Sequence, residues 1–335
     1  MIVFSEQSRR IRQGALALAM LATVMAGPVA AQDTVDLASL EGEITSDGSS
    51  TVGPITQAIA DRFSEEADGV GITVDISGTG GGFERFCTGD TQVQNASRPI
   101  EDDEVAACAE AGVDYYVFEV AFDGITIVVP ESNTFLTDLT TEALAQIWQA
   151  EEPVQTFADL NPDLPAETIN LYGPGADSGT YDFFIEAILG DDGEIREDFT
   201  PSEDDNVLVN SVAGDENGLG YFGYAYYAEN EDQLNAVAVN GVLPSPETIA
   251  DGSYEPLSRP LFVYVNAEAM EEPALQEFMR FYLANAEEVA AEVGFVGSPE
   301  EIYTEDTEKL EAVIAGEAEP DGPEAAEDAE ATPAS

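Results

Sequence analysis

The sequence predicts an α/β protein built as two domains. Strand-like runs pass directly into hydroxyl- or glycine-rich turns and then into amphipathic helices, that unit recurs along the chain, and 335 residues suffice for two hydrophobic cores. Gly42 to Thr45 reads as a short strand entering Asp47-Gly-Ser-Ser-Thr-Val-Gly-Pro54, after which Ile55, Ala58, Ile59 and Phe63 mark one helical face. Ser49, Ser50 and Thr51 place neutral donors where the first amides of a helix lack partners, as a compact oxyanion requires. Pro54 fits a first helical turn, where no amide hydrogen is needed.

The unit then repeats. Gly71 to Ser77 alternates Ile72, Val74 and Ile76 with polar residues, as a strand does, and runs into the turn Gly78-Thr-Gly-Gly-Gly82 before Phe83 to Phe86. Glycines there admit a ligand close to the backbone, with Thr79 beside it. A third strand-like run opens Val93-Gln-Asn-Ala-Ser-Arg-Pro-Ile100, where Ser97 and Arg98 offer a hydroxyl and a fork of donors. A surface ion pair is the competing role for Arg98, acids being plentiful.

In the second half, Ile125 to Val129 within Phe118 to Pro130 has the pattern of a buried strand. Leu139 to Gln149 is helical and carries Trp148, a core residue. Thr168 to Tyr172 is a strand leading into Tyr172-Gly-Pro-Gly-Ala-Asp-Ser-Gly-Thr-Tyr181. This fourth turn brings Ser178, Gly179 and Thr180 to the start of a helix whose Tyr181, Phe184, Ala187 and Ile188 recur at helical spacing. A plain N-cap by Asp177 or Ser178 is the alternative. The aromatic run Gly218 to Tyr227 reads as core or hinge packing, Pro260 to Val265 as a strand, and Glu272 to Val293 as a helix with Leu275, Phe278, Met279 and Tyr282 on one side.

Composition excludes several classes. Ten Lys and Arg against 68 Asp and Glu give a formal net charge of −58, which disfavours nucleic acid and anionic membranes as partners. An acidic surface with Lys309 as sole lysine suits very salty surroundings, where screening suppresses self-repulsion. The absence of histidine removes Ser-His-Asp and Cys-His catalysis and His-containing zinc sites, and no alternating Asp loop of the calcium-binding kind occurs, so neither metal nor cofactor is expected. Residues 1–31 carry Arg9, Arg10 and Arg12 before an apolar run from Ala15 to Met25, with small residues before Gln32. That is an export signal cleaved near Ala31; the apolar run is shorter than the roughly 20 residues a membrane anchor needs. In an exported chain Cys87 and Cys108 pair as a disulfide closing the loop that holds Asn95 to Ile100; two separate buried thiols are the alternative. Residues 317–335, rich in Glu, Ala and Pro, form a disordered acidic tail.

Taken in order, Asp47-Gly-Ser-Ser-Thr-Val, Ser77-Gly-Thr-Gly-Gly-Gly-Phe, Asn95-Ala-Ser-Arg-Pro-Ile and Asp177-Ser-Gly-Thr resemble the periplasmic phosphate-binding proteins of the phosphate ABC transporter, a likeness running from about Gly42 to Gly316. The resemblance implies a two-lobed periplasmic binding protein fold, type II-like, with crossing hinge strands: lobe I from 42–121 plus 261–316, lobe II from 122–260. It implies a monomeric, periplasmic, non-enzymatic receptor that delivers inorganic phosphate to a membrane permease. The hydroxyls of Ser50, Thr79, Ser178 and Thr180 and amides around Ser49, Thr51 and Gly179 would hold the anion. In the best-known members an Asp that accepts the ligand's proton occupies the place of Arg98, and an Arg that of Pro174. The missing acceptor leaves sulfate or another tetrahedral oxyanion as an alternative ligand, with Asp177 or Asp47 as possible substitutes. A Ser-dependent phosphoryl-processing enzyme is a further alternative, opposed by the lack of His; an interaction protein that lost transport is another.

Overall fold

The computed structural model describes residues 35–176, 178–190 and 193–322; the expected export signal at 1–31 and most of the expected acidic tail lie outside these. Apolar alternation at the N-terminal end becomes β1 (Gly42–Gly48), α1 (Gly53–Glu66), β2 (Val70–Val74), α2 (Thr79–Phe86), β3 (Val93–Ala96) and α3 (Asp102–Ala111). The long β4 (Tyr115–Pro130) follows, then β5 (Asp138–Leu139), α4 (Thr141–Trp148), α5 (Phe157–Leu160), β6 (Asn170–Gly173) and α6 (Gly179–Leu189). The chain continues through β7 (Thr200–Pro201), α7 (Asp205–Ala213), β8 (Gly218–Gly223), α8 (Tyr224–Ala228), β9 (Leu234–Val239) and α9 (Pro246–Ala250). It ends with β10 (Ser258–Asn266), α10 (Pro273–Glu292) and α11 (Glu300–Ile314).

Strand order is β2-β1-β3-β10-β4-β8-β6-β7, with β9 also on β4 and β5 on β9. Both flanks are parallel, as strand–helix–strand crossovers require, and the centre is antiparallel. The 16 residues of β4 serve two neighbourhoods: Tyr115 to Gly124 pairs with β10, and Ile125 to Pro130 pairs with β8 and β9. Two cores follow from this. One packs α1, α10 and α11 on Tyr116, Phe118, Val120 and Ala121, and the other gathers α4 and α6 around Phe122, Ile125 and Ile127. The handover falls between Ala121 and Phe122 on β4 and between Leu257 and Leu261 around β10. The expected architecture, two α/β lobes joined by crossing strands, is therefore the one observed.

Most sequence expectations reappear with shifted ends. Ile55, Ile59 and Phe63 are fully buried, and the Phe63 ring lies 5.5 Å from Phe278 of α10, edge to face. Such burial stabilises by about 1.5–3 kcal/mol per large apolar side chain. Trp148 is core, as expected, meeting Phe184 and Tyr221 edge-on. Cys87 and Cys108 form the disulfide, which ties the end of α2 to α3.

Three expectations are corrected. The second strand ends at Val74 rather than Ser77, and Ile76 is 58% exposed, because the chain turns away after the Asp75 amide donates to the Ser46 carbonyl. Thr79 to Gly82 form the first turn of α2 instead of a loop. The glycines let that turn pack against the first one: a Cβ on Gly82 would lie 2.5 Å from the Gly48 Cα. Finally, Glu317 to Gly322 rest on the body, where the Asp321 amide donates to the Tyr115 carbonyl and its carboxylate accepts from the Val117 amide and from Lys309. Edge amides of β4 supply the partners that composition alone does not reveal.

Candidate oxyanion-binding site

Three turns at the ends of β1, β2 and β3 and a fourth after β6 converge. The first is held from behind by a buried polar network. Ser49 N donates to the Asn95 carbonyl (2.9 Å), Thr56 Oγ1 donates to Asn95 Oδ1 (2.7 Å), and the Tyr282 hydroxyl lies 2.9 Å from Thr56. Ser49 Oγ accepts from the Thr51 amide (3.1 Å), so Ser49 shapes the turn and its amide and one lone pair are committed. Ser50 remains partly open.

Thr79, first residue of α2, faces the loop after β3: its hydroxyl lies 3.1 Å from Ser97 Oγ and accepts from the Ser97 amide. Its own amide stands at a helix start, where amide hydrogens lack intrahelical partners. Gly179 starts α6 in the same way, and Ser178 caps that helix by accepting from the Thr180 amide at 3.2 Å. The fourth turn abuts the first across the cavity between them, since a Cβ on Gly179 would sit 2.7 Å from Thr51 Oγ1 and 3.1 Å from Ser50 Oγ.

The cavity has a volume of about 180 Å³, and Ser49, Ser50, Thr51, Thr79, Ser97, Arg98 and Gly179, all picked from the sequence, line it. Ser178 and Thr180 do not; they organise the helix start behind Gly179. Asp47 is also off the cavity, its carboxylate accepting from the Gly48 amide and from Arg85 at 2.6 Å. Asp177, the other substitute acceptor, lies outside the described residues. A larger cleft of about 750 Å³ by Tyr181 and Phe199 carries Glu194, Glu197 and Asp198, and its Arg196 donates to the Ile147 and Val154 carbonyls and to Asp198, which leaves it poorly suited to an anion.

Arg98 reaches the cavity with its fork taken. Nη1 and Nη2 each donate to a Glu104 oxygen at 2.8 Å, and Nε lies 3.1 Å from Glu101. Hydrogen bonds to Glu104 raise the guanidinium above its ordinary pKa, so it is a fixed but neutralised cation.

Arg259 of β10, which the sequence reading missed, supplies the second cation. Its Nη2 donates to Thr51 Oγ1 (3.1 Å) and toward Asp123 Oδ2 (3.4 Å), Nη1 lies 3.5 Å from Glu186, and its guanidinium carbon stands 3.7 Å over the Phe183 ring. It touches the first turn, the crossing strands and α6 together. Burial lowers its pKa, with Asp123 and Glu186 opposing; burial likewise raises Asp123, with Arg259 opposing. Among the described residues the buried Arg259 Nε and Asp123 Oδ1 have no partner. A signal for Arg259 exists in the sequence: Ser258-Arg-Pro260 repeats the triplet Ser97-Arg-Pro99.

Two carboxylates complete the lining, Asp182 and Glu186, one helical turn apart on α6. Burial raises the Asp182 pKa, Arg259 opposing and Glu186 adding. Among the described residues there is no cluster of three or more His, Cys, Asp or Glu placed to hold a metal, and no helix long and apolar enough to cross a membrane.

The family model described as a PBP superfamily domain matches residues 29–286. Protein SphX of Synechocystis sp. is 49% identical over 267 residues, 78% of this chain and 80% of that protein. The phosphate-binding protein PstS of Staphylococcus saprophyticus is 39% identical over 306 residues, 90% of this chain and 94% of that protein. The crystal structure of a possible phosphate binding protein from Planctomyces limnophilus, 40% identical, superposes with a TM-score of 0.78 over 84% of this chain and all of that one.

Proposed function

The chain belongs to the PBP superfamily and, within it, to the family of the phosphate-binding protein PstS, and from that membership we propose that it is an exported, non-enzymatic receptor that captures inorganic phosphate between two lobes and delivers it to the permease of an ABC transporter. The observation that carries this reading is the meeting of Ser50, Thr51, Thr79 and Ser97 with the Gly179 helix start and Arg259 around one small cavity. Short hydroxyls and helix-start amides fix the oxygens of a tetrahedral anion, and Arg259 adds a buried charge.

The lobes take 42–121 plus 261–316 and 122–260, divisions supported by the handover of apolar cores at Ala121/Phe122 and near Leu261. Ligand contacts from both sides stabilise the closed arrangement, which forms the docking surface for the permease. Ser49, Ser50, Thr51, Thr79, Ser97, Arg98, Ser178, Gly179 and Thr180 make up the proposed site, with Ser178 and Thr180 acting through the helix start and Arg98 lining the cavity while held by Glu104. The protein works as a monomer, directed by residues 1–31 to the periplasm and cleaved near Ala31, and its acidic surface suits salty surroundings.

Calorimetric titration of the mature protein with phosphate and with sulfate, in concentrated salt, tests the reading. Saturable one-to-one phosphate binding supports it; a folded protein that binds no phosphate refutes it, and equal binding of both anions replaces it by a general oxyanion receptor.

A further inference from the structure

Behind the cavity, β3 carries a buried amide side chain that does not line it. Gln94 is 0% exposed, stands opposite Asp47 of β1 and Tyr264 of β10 in register, and sends its side chain between the first turn and α2. Its Nε2 donates to the Thr79 carbonyl at 2.9 Å, which fixes the orientation of the amide, since the reverse would set two oxygens against each other. Its Oε1 faces the backbone of the two turns: a Cβ on Gly48 would sit 2.8 Å from that oxygen, and one on Gly82 would overlap it. Among the described residues this buried oxygen has no hydrogen-bond partner. A buried acceptor without a donor lowers stability, whereas an apolar side chain of the same shape leaves nothing unsatisfied. Packing alone would thus be served better by an apolar residue.

The one hydrogen bond that the Gln94 side chain makes goes to a residue of the cavity wall. Both peptide planes flanking Thr79 are held from the helix side, because the Gly78 carbonyl accepts from the Gly82 amide at 2.9 Å and the Thr79 carbonyl accepts from Gln94. In a trans peptide the N–H points opposite to the C=O, so a Gly78 carbonyl fixed into α2 turns the Thr79 N–H out of the helix start. Fixing the second plane stops Thr79 from rocking with its hydroxyl.

Resting on the receptor reading above, we propose that Gln94 is a positioning residue for the bound anion: without touching the ligand, it holds the Thr79 carbonyl from behind and keeps the Thr79 amide and hydroxyl aimed at it, at a cost to stability. Gly48 and Gly82 lack side chains where the Gln94 amide passes, so the wedge and the two turns it joins form one unit. A neutral donor suits the place. Asp47, its register partner on β1, already carries a carboxylate there, matched by Arg85 of α2 at 2.6 Å.

The test is calorimetric titration of wild-type, Gln94→Met and Gln94→Glu proteins with phosphate in concentrated salt, alongside the melting temperature of each without ligand. Gln94→Met keeps the length of the side chain and removes both the donor and the unpaired oxygen. It should melt at or above the wild-type temperature yet bind phosphate about fivefold to tenfold more weakly, the scale of one hydrogen bond. A merely structural role cannot separate those two readouts. Gln94→Glu keeps the shape, and its carboxyl can donate to Thr79 only when protonated, a form that burial and the neighbouring Asp47 favour. Measured against wild type at each pH, which cancels the titration of phosphate itself, its affinity should be reduced at pH 8 and return toward wild type at pH 5. Gln94→Met that binds phosphate as tightly as wild type overturns the proposal. So does a loss of affinity in Gln94→Met accompanied by a lower melting temperature, or a loss in Gln94→Glu that is the same at both pH values. Those results leave phosphate capture standing, whereas a wild-type protein that binds no phosphate fails the receptor reading itself.

Discussion

Arg259 Nη2 donates to Thr51 Oγ1 at 3.1 Å, so a residue of the crossing strand β10 holds the turn that starts α1. Arg98, chosen from the sequence, is instead clamped by Glu104 through both terminal nitrogens. The two arginines should therefore differ in effect. Arg259→Ala should weaken phosphate binding by about tenfold to a hundredfold, and Arg98→Ala by less than about tenfold. Titration of both variants under one set of conditions checks the order; a larger loss for Arg98→Ala would return the ligand's cation to the loop after β3.

Arg259 also neutralises Asp123, whose side chain is 1% exposed. Removing one partner of a buried pair leaves an uncompensated charge and costs roughly 3–5 kcal/mol. Arg259→Ala should accordingly lower the denaturation midpoint, and Arg259→Ala/Asp123→Ala should recover part of that loss. Phosphate affinity should not recover in the double variant, because the cation stays absent. Chemical denaturation of the three chains, paired with titration, separates the two effects.

A side chain at position 179 has no room. The nearest atoms to a Cβ there belong to Ser50 and Thr51, including the Thr51 amide at 3.1 Å. Gly179→Ala should push the start of α6 from the first turn and cut phosphate affinity by about tenfold or more, while altering stability little, since alanine favours the helix by up to about 1 kcal/mol. Wild-type affinity in the variant would show that the two turns do not need this closeness to hold the ligand.

The disulfide encloses β3 and the Ser97–Arg98 loop, joining residues 21 apart in sequence. Closing a loop of that size constrains the unfolded chain and is worth about 2–4 kcal/mol. Replacing both cysteines with serine should lower stability by that amount and loosen the placement of Ser97 beside Thr79. Denaturation and phosphate titration of the double variant measure the two consequences.

Asp306 gives a pH dependence whose sign is fixed by burial. Desolvation raises its folded-state pKa to about 6, against an ordinary value of 3.8, even though the Glu119 amide donates to it. Between those values the folded state holds the proton better than the unfolded one, so this residue's contribution falls as pH rises from about 4 through 6. Asp306→Asn keeps an acceptor for Glu119 and removes the titration. Its melting temperature relative to wild type should thus be higher at pH 7 than at pH 4; a pH-independent difference would contradict this.

The turns were legible because their chemistry is local. Ser49-Ser-Thr51, Ser97 and Gly179 each follow an apolar strand and start or neighbour a helix, and those neighbours in sequence are their neighbours in space. Arg259 was not, because its value depends on β10 lying between β3 and β4, a pairing across more than a hundred residues that periodicity does not encode. Arg98 shows the converse. Its position beside the site is local, but Glu104 captures it through the capping box of α3, a helix boundary that the surrounding acids obscure. Ile76 misled the strand assignment because alternation continues past the point where the backbone leaves β1.

The acidic surface leads to the last prediction. With 68 acids and ten bases, few carboxylates have a cation: Arg62 serves Glu288 and Glu292, and Arg280 serves Glu277 and Glu311. Such pairs at the surface are worth little each, at about 0–1 kcal/mol, and cannot balance repulsion spread over the whole body. Screening can, since the distance over which exposed charges interact falls from about 10 Å at 0.1 M salt to about 3 Å at 1 M. The melting temperature should therefore rise between 0.1 and 1 M KCl, although the same salt weakens the surface ion pairs. Repeating the scan at pH 4, where many carboxylates are protonated, should shrink the salt effect. A melting temperature that falls with salt at pH 7 would mean that the paired charges, rather than the unpaired ones, govern stability.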